Sequence, residues 1–279
     1  MVFESFTSPF RAAKKPSHMF FIGCLYATIA VFLSLWLFKQ YASLVMVFLT
    51  VVAAVPLMYK TMKMEERFDT KTDDEGRMLR EHARVLESLV FLFIGFVVIY
   101  TLFFIASPPG IVEQLFSSQV QTIEAINSRI TGQAFSSMSI FGQIFQNNVK
   151  VLMFCLFFSF FYGAGAIFIL TWNASVISAA IGDFIRNKVA AIAVPSLFSY
   201  FYTFPLGLLR YFIHGIPEIA AYFLGGLAGG IISVAMINHD LESKHFKNIF
   251  IDAIDLILLA IFVLVVAGLI EVYITPVFF

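Results

Sequence analysis

Apolar residues in this chain come in long unbroken blocks rather than in alternation. The blocks run from about Met19 to Phe38, Tyr41 to Met58, Leu89 to Ala106, Val149 to Thr171, Val189 to Leu209, Gly215 to Ile237 and Ile249 to Thr275. At about 1.5 Å per residue each is long enough to cross roughly 30 Å of hydrocarbon as a helix. The pattern predicts an all-α polytopic helical membrane protein with seven transmembrane helices. Lys39-Gln40 is nearly the only polar break between the first two blocks, which reads as a tight helical hairpin. Pro195 and Pro205 interrupt the fifth block. A shorter apolar stretch, residues 174–185, lies between Trp172-Asn173 and Arg186-Asn187-Lys188. It is too short to cross, and three readings stand for it: a re-entrant helix, an interfacial helix, or a kinked extension of the fourth span.

The polar segments divide the rest. Residues 1–18 set Phe3, Phe6 and Phe10 among charges and read either as a surface-lying segment or as a frayed tail. Residues 60–88 are dense in charge, with Asp73-Asp74-Glu75-Gly76 as a turn or helix start, and read as a solvated helix or a partner-docking surface. Residues 111–146, rich in Ser, Gln, Asn and Thr, fit one or two amphipathic interfacial helices. This organisation gives two parts: residues 1–88, a transmembrane hairpin with a charged cytoplasmic linker helix, and residues 89–279, the membrane core. Fourteen Lys and Arg fall on one side of the seven expected spans and four on the other. By the positive-inside rule the N-terminus is cytoplasmic and the C-terminus outside. The expected partners are the bilayer itself, proteins docking at 60–88 or 111–146, and a second copy of the chain.

Composition agrees with this picture: 60% of the residues are hydrophobic, 13% are charged, and the mean hydropathy is +0.89. A soluble domain carries about 25% charged residues. Formal net charge is zero, so nothing points to nucleic acid. Cys24 and Cys155 both fall in apolar blocks and read as small buried residues, not as a disulfide or metal pair. No phosphate loop, dinucleotide fingerprint, serine elbow or His-Glu-x-x-His zinc motif occurs. The expectation is a protein without catalytic residues, metal or cofactor.

One stretch concentrates the remaining chemistry: His214-Gly215-Ile216-Pro217-Glu218, followed by Ala221, Gly225, Gly226, Gly229 and Gly230. Pro217 suits the first turn of a helix, where Glu218 would meet the positive end of the dipole. Ala221, Gly225, Gly229 and Ser233 recur every four residues and make a smooth stripe that another helix can approach closely. His214 and Glu218 have three readings: a structural cap, a proton or cation site, or a metal site that has too few ligands. Further polar residues in apolar surroundings are Asn147, Asn148, Asn173, Asp183, Asp252, Asp255 and Glu271. The asparagines read as helix caps, or as amides bonding across helices around a cavity. Asp183 reads as an interfacial ion pair with Arg186, and Asp252 with Asp255, three apart in the first turns of the last span, as acids favoured by the helix dipole or as a paired-carboxylate site.

His214, Gly215, Glu218 and the glycine-rich run resemble the signature of the stage II sporulation protein M family, roughly Pro-His-Gly-x-x-Glu before a Gly/Ala-rich membrane helix. Ile213 stands where the family has proline. Asn147-Asn148 resemble the asparagine that precedes the family's fourth helix here, and Asn173 its Asn-Gly pair, with Ala174 in place of glycine. The resemblance covers about residues 89–275. It implies a multi-pass membrane protein and a non-enzymatic role, as in the spore-forming representative, a scaffold for peptidoglycan-remodelling enzymes. Two functions follow as expectations. One is a membrane scaffold or assembly factor, dimerising through Gly225/Gly229 or Gly226/Gly230. The other is a transporter or channel, with a polar cavity touching Asn173, His214 and Glu218.

Overall fold

A lipid-embedded backbone must pair every N–H and C=O within its own segment, and a helix does so without help from neighbours. In the computed structural model the described residues, 16–69, 75–130, 137–162, 165–192, 196–238 and 243–278, form helices and no strand. The order is α1 (Ser17–Leu37), a 3-10 turn (Lys39–Tyr41), α2 (Ala42–Asp69), α3 (Glu75–Ala106), α4 (Pro109–Ile130), α5 (Ser137–Tyr162), α6 (Ala166–Ala190), α7 (Leu197–Asn238), α8 (Lys244–Leu269), a π turn (Ile270–Ile274) and α9 (Thr275–Phe278). Seven of these stretches are long and apolar enough to cross a membrane, in α1, α2, α3, α5, α6, α7 and α8 with its continuation. The expected segment 1–18 lies almost wholly outside the described residues, as do Asp73 and Asp74, whereas α3 starts at Glu75.

The number of spans matches the hydrophobic pattern, but their division differs in the second half. The apolar block 149–171 is split, because α5 ends at Tyr162 and α6 begins at Ala166. Residues 174–185 are therefore neither re-entrant nor interfacial nor an extension of the fourth span; they are the middle of a full 25-residue helix. The segment looked weakly apolar because it is built of small residues: Ala174, Ser175, Ser178, Ala179 and Gly182 are all buried against other helices. Conversely, residues 197–209 of the fifth block fuse with the sixth into α7, a helix of 42 residues with Pro205 and Pro217 inside it, while Pro195 lies outside the described residues. At 1.5 Å per residue it is about 63 Å long, roughly twice the hydrocarbon thickness. Each proline removes one intrahelical bond, a loss that neighbouring helices make tolerable in a membrane.

The packing directions follow from named contacts. Ser178 Oγ donates to Val97 O at 3.1 Å, and Gly182 lies against the Phe104 ring. The Arg186 guanidinium, rather than pairing with Asp183, donates to Ile105 O at 3.3 Å and to Ser107 O. It thereby caps the carbonyl end of α3, which runs beside α6 in the same direction. Asp183 instead accepts from Asn187 at 2.9 Å. Between α1 and α3 the approach is closest at Gly23 and Gly95. A Cβ at Gly23 would collide with the Leu92 carbonyl, and one at Gly95 with the Phe20 carbonyl. Buried residues from Met19 in α1 to Leu264 in α8 form one continuous core, so the first two spans pack into the same bundle as the rest.

The segment 111–146, expected to lie at the interface, divides differently. Residues 137–146 are the first turns of α5, and α4 inserts into the bundle, burying Val112, Leu115, Phe116 and Gln119. Gln119 Nε2 donates to Ser43 O at 3.2 Å and to Ser175 Oγ at 3.1 Å. Ser43 and Ser118 hydroxyls meet at 2.8 Å, and those of Thr50 and Tyr100 at 2.6 Å. A neutral seam of hydroxyls and one carboxamide thus joins α2, α3, α4 and α6.

Candidate functional site

Because α7 is continuous, His214 and Glu218 stand one turn apart on one helix face, and Pro217 does not start a helix. The cap reading of Glu218 therefore fails: it lies 21 residues past Leu197, far from any helix N-terminus. Its carboxyl group instead meets two partners from other helices. Asn148 Nδ2, on α5, donates to Glu218 Oε1 at 2.5 Å. Glu271, in the π turn, stands close to the same carboxyl. Two carboxyl groups can hydrogen-bond to each other only when one of them carries the proton that the other accepts. Tyr222, one turn beyond Glu218, is buried beside this pair. His214, one turn before it, brings Nδ1 to 3.3 Å from Thr275 Oγ1.

The π turn explains how Glu271 reaches the site. Thr275 N–H bonds back to Ile270 O across five residues, and Thr275 Oγ1 lies 3.3 Å from the same carbonyl. This wider turn re-aims the side chains of Ile270–Ile274 relative to the α-helix before it, a geometry found often at functional positions. Contacts 148–218 and 152–225 put α5 and α7 in the same direction, and 214–275 with 218–271 put α8 against them in the opposite one.

The other expected residues fall as follows. Asn148 is inside α5 and bonds across helices, whereas its neighbour Asn147 is exposed; neither caps a helix end. Asn173 stands apart from the set, its amide donating to Ile169 O of its own helix at 2.8 Å. Gly215 is buried, with open space where a Cβ would stand. Asp252 and Asp255 are in the third and fourth turns of α8, whose N-cap is Ser243, accepting from Phe246 N at 3.1 Å. Glu271 is the residue the sequence reading left without a role; its signal was an acid at the end of the most apolar block.

Ala221, Gly225, Gly226, Gly229 and Gly230 are all buried within the chain. A Cβ at Gly225 would strike the Leu152 side chain, one at Gly226 would lie 2.8 Å from Ala166 Cβ, and one at Gly229 would strike the Leu156 carbonyl. The stripe is thus filled by α5 and α6 of the same molecule. A dimer closed through Gly225/Gly229 or Gly226/Gly230 has no surface left to use, because the smooth face was recruited internally. Cys155 is buried and Cys24 half-buried, both as free thiols. Among the described residues, no three His, Cys, Asp or Glu side chains come together to hold a metal ion.

A family model described as stage II sporulation protein M matches residues 88–276, more than half of the chain. The chain belongs to this family. No curated protein and no solved structure matches it. Asn148, Glu218 and Glu271 all lie within the stage II sporulation protein M region, and so do Asn173, His214 and the glycine stripe. Residues 1–87, with α1 and α2, lie outside that match.

Proposed function

We propose that this member of the stage II sporulation protein M family is a non-enzymatic membrane scaffold or assembly factor for envelope or membrane remodelling. One observation carries the reading. The apolar stretch of α2 ends at Lys60 but the helix continues to Asp69, and α3 begins at Glu75 although its apolar stretch starts at Ala83. Two helix ends about 14 and 12 Å long, at 1.5 Å per residue, therefore extend past the span through the charged segment 60–88. Charged helices of this kind suit docking by another protein. On the proposed orientation these ends lie in the cytoplasm, which the charge count supports. With the crossings described above, 12 of the 18 Lys and Arg fall on the N-terminal side and six on the other. Arg186 and Lys188 have changed sides relative to the sequence reading, and the bias keeps its sign.

The test is capture of crosslinked partners from native membranes with the intact chain and with a variant carrying Lys63→Gln, Arg67→Gln, Arg77→Gln and Arg80→Gln. Loss of specific partners in the variant supports the docking role; an unchanged partner set removes the segment as the docking site.

A specific observation favours a second reading, a transporter or channel. Glu218 and Glu271, with Asn148 bonded to the first, put two ionisable side chains inside the spans, where such residues mark proton or ion paths. In reconstituted vesicles this reading expects a proton or cation flux that Glu218→Gln abolishes. Vesicles that stay tight with the intact protein decide for the scaffold.

A further inference from the structure

The first half of α7 carries a feature that neither functional reading uses. The Arg210 guanidinium stands over the Phe184 ring at 4.9 Å and near the Tyr211 ring at 6.0 Å. The Lys188 ammonium stands over the same Phe184 ring at 5.7 Å. Two cations thus converge on one phenyl group, and among the described residues neither forms an ion pair. Asp183, the acid nearest Lys188 in the sequence, is exposed and accepts from Asn187. Glu218, the acid nearest Arg210 in the sequence, is held by Asn148. Arg186, the third cation here, is already spent on the carbonyl end of α3.

Beside Arg210 in the chain an open apolar groove of about 410 Å³ runs along α7, lined by Pro205, Leu208, Leu209, Phe212, Ile213 and Ile216. These positions share one helix face, spaced three and four apart. Gly207, turned the other way, packs against Ile185 and Ile181 of α6, so the groove looks outward from the bundle. The cations lie near Ala190, where the crossing helix α6 ends. Charged side chains at the end of a span sit at headgroup depth.

We propose that Lys188, Arg210 and this groove form a binding site for an anionic phospholipid, with the headgroup phosphate between the two cations and an acyl chain along the groove. Cations that form no ion pair suit a phosphate, and a groove lined by apolar side chains suits a chain. From Arg210 the groove runs six residues to Ile216, about 9 Å of helix at 1.5 Å per residue, which takes the first part of an acyl chain. The site rests only on the chain being a membrane protein, and stands whichever functional reading holds.

Native mass spectrometry of the full chain, purified in detergent and offered phosphatidylglycerol or phosphatidylcholine at equal concentration, tests it. Phosphatidylglycerol should remain bound preferentially. Arg210→Gln or Lys188→Gln should each lower its retention about fivefold, leaving phosphatidylcholine unchanged. Arg210→Lys, which keeps the charge, should retain the preference and so separates loss of charge from misfolding. Inorganic phosphate should fail to displace the lipid. Equal retention of the two lipids, displacement by phosphate alone, or full retention in the Arg210→Gln, Lys188→Gln double variant would each overturn the proposal.

Discussion

Two glycine crossings close this bundle, and the polar groups packed beside them differ in kind. Where α1 meets α3, Gly23 and Gly95 bring backbone against backbone, and the neighbouring seam is neutral: Ser43, Thr50, Tyr100, Gln119 and Ser175. Where α5 meets α7, Gly229 does the same and Gly225 makes room for the Leu152 side chain, and the adjacent polar group holds two carboxyls, Glu218 and Glu271, with Asn148. The architecture is solved the same way twice, through small residues that let helices approach. The chemistry is not. Hydroxyls and amides keep their donors whatever the proton supply, so the first seam is a fixed staple. Two carboxyls can join each other only through a proton held by one of them, so the second seam, unlike the first, offers a place for one.

The largest expected effect tests the shared part of that comparison. Gly95→Leu and Gly229→Leu each drive a branched side chain into a backbone carbonyl, of Phe20 and Leu156 respectively. Overpacking ordinarily costs about 1–3 kcal/mol, and a backbone neighbour yields less than a side chain does. Both variants should lose the monodisperse folded species in size-exclusion chromatography, or melt far below the parent. A Gly229→Leu protein that stays folded and changes only its oligomeric state would mean that the stripe faces a second copy.

The hydrophobic blocks made the fold class and the number of spans readable. Their edges in the second half were not, and the reason is physical. Hydropathy measures transfer into lipid, while α6 buries its small face against protein, so Ser175, Ser178 and Gly182 read as a break. Pro217 read as a helix start because that is where proline is cheapest in isolation. Its missing bond is tolerated here by packing that no local pattern encodes. Glu218 and Asn148 were visible as odd polar residues in apolar runs, but their meeting joins positions 70 apart and needed the packing of α5 on α7. Glu271 gave even less, since only the π turn turns it toward Glu218.

The next effect in size separates the two seams. Glu218→Ala leaves the buried Asn148 amide without its partner, at about 1–3 kcal/mol for an unsatisfied group. Glu218→Gln keeps a donor and an acceptor and should recover most of that loss. In the neutral seam Tyr100→Phe removes one hydroxyl from Thr50, at about 1 kcal/mol. Infrared spectra should show the carbonyl band of a buried protonated carboxyl that Glu218→Gln or Glu271→Gln removes and Tyr100→Phe leaves in place. If no such band exists in the parent, the two seams are alike in kind and the contrast drawn above is lost.

The smallest effect falls between the seams, at Gly215. It lies in the middle of α7, one residue past His214 and three before Glu218, and a Cβ there meets open space. A helix-interior glycine costs up to about 1 kcal/mol relative to alanine, partly because it leaves the unfolded chain freer. If α7 is one rigid rod, Gly215→Ala should raise the thermal midpoint slightly and leave every other property unchanged. If α7 instead bends here, between its lipid-facing first half and its buried second half, the same substitution stiffens the bend. It would then alter function or the state of the carboxyl pair while the protein remains folded. Comparing the melting curve of Gly215→Ala with its infrared carboxyl band distinguishes a rod from a hinge.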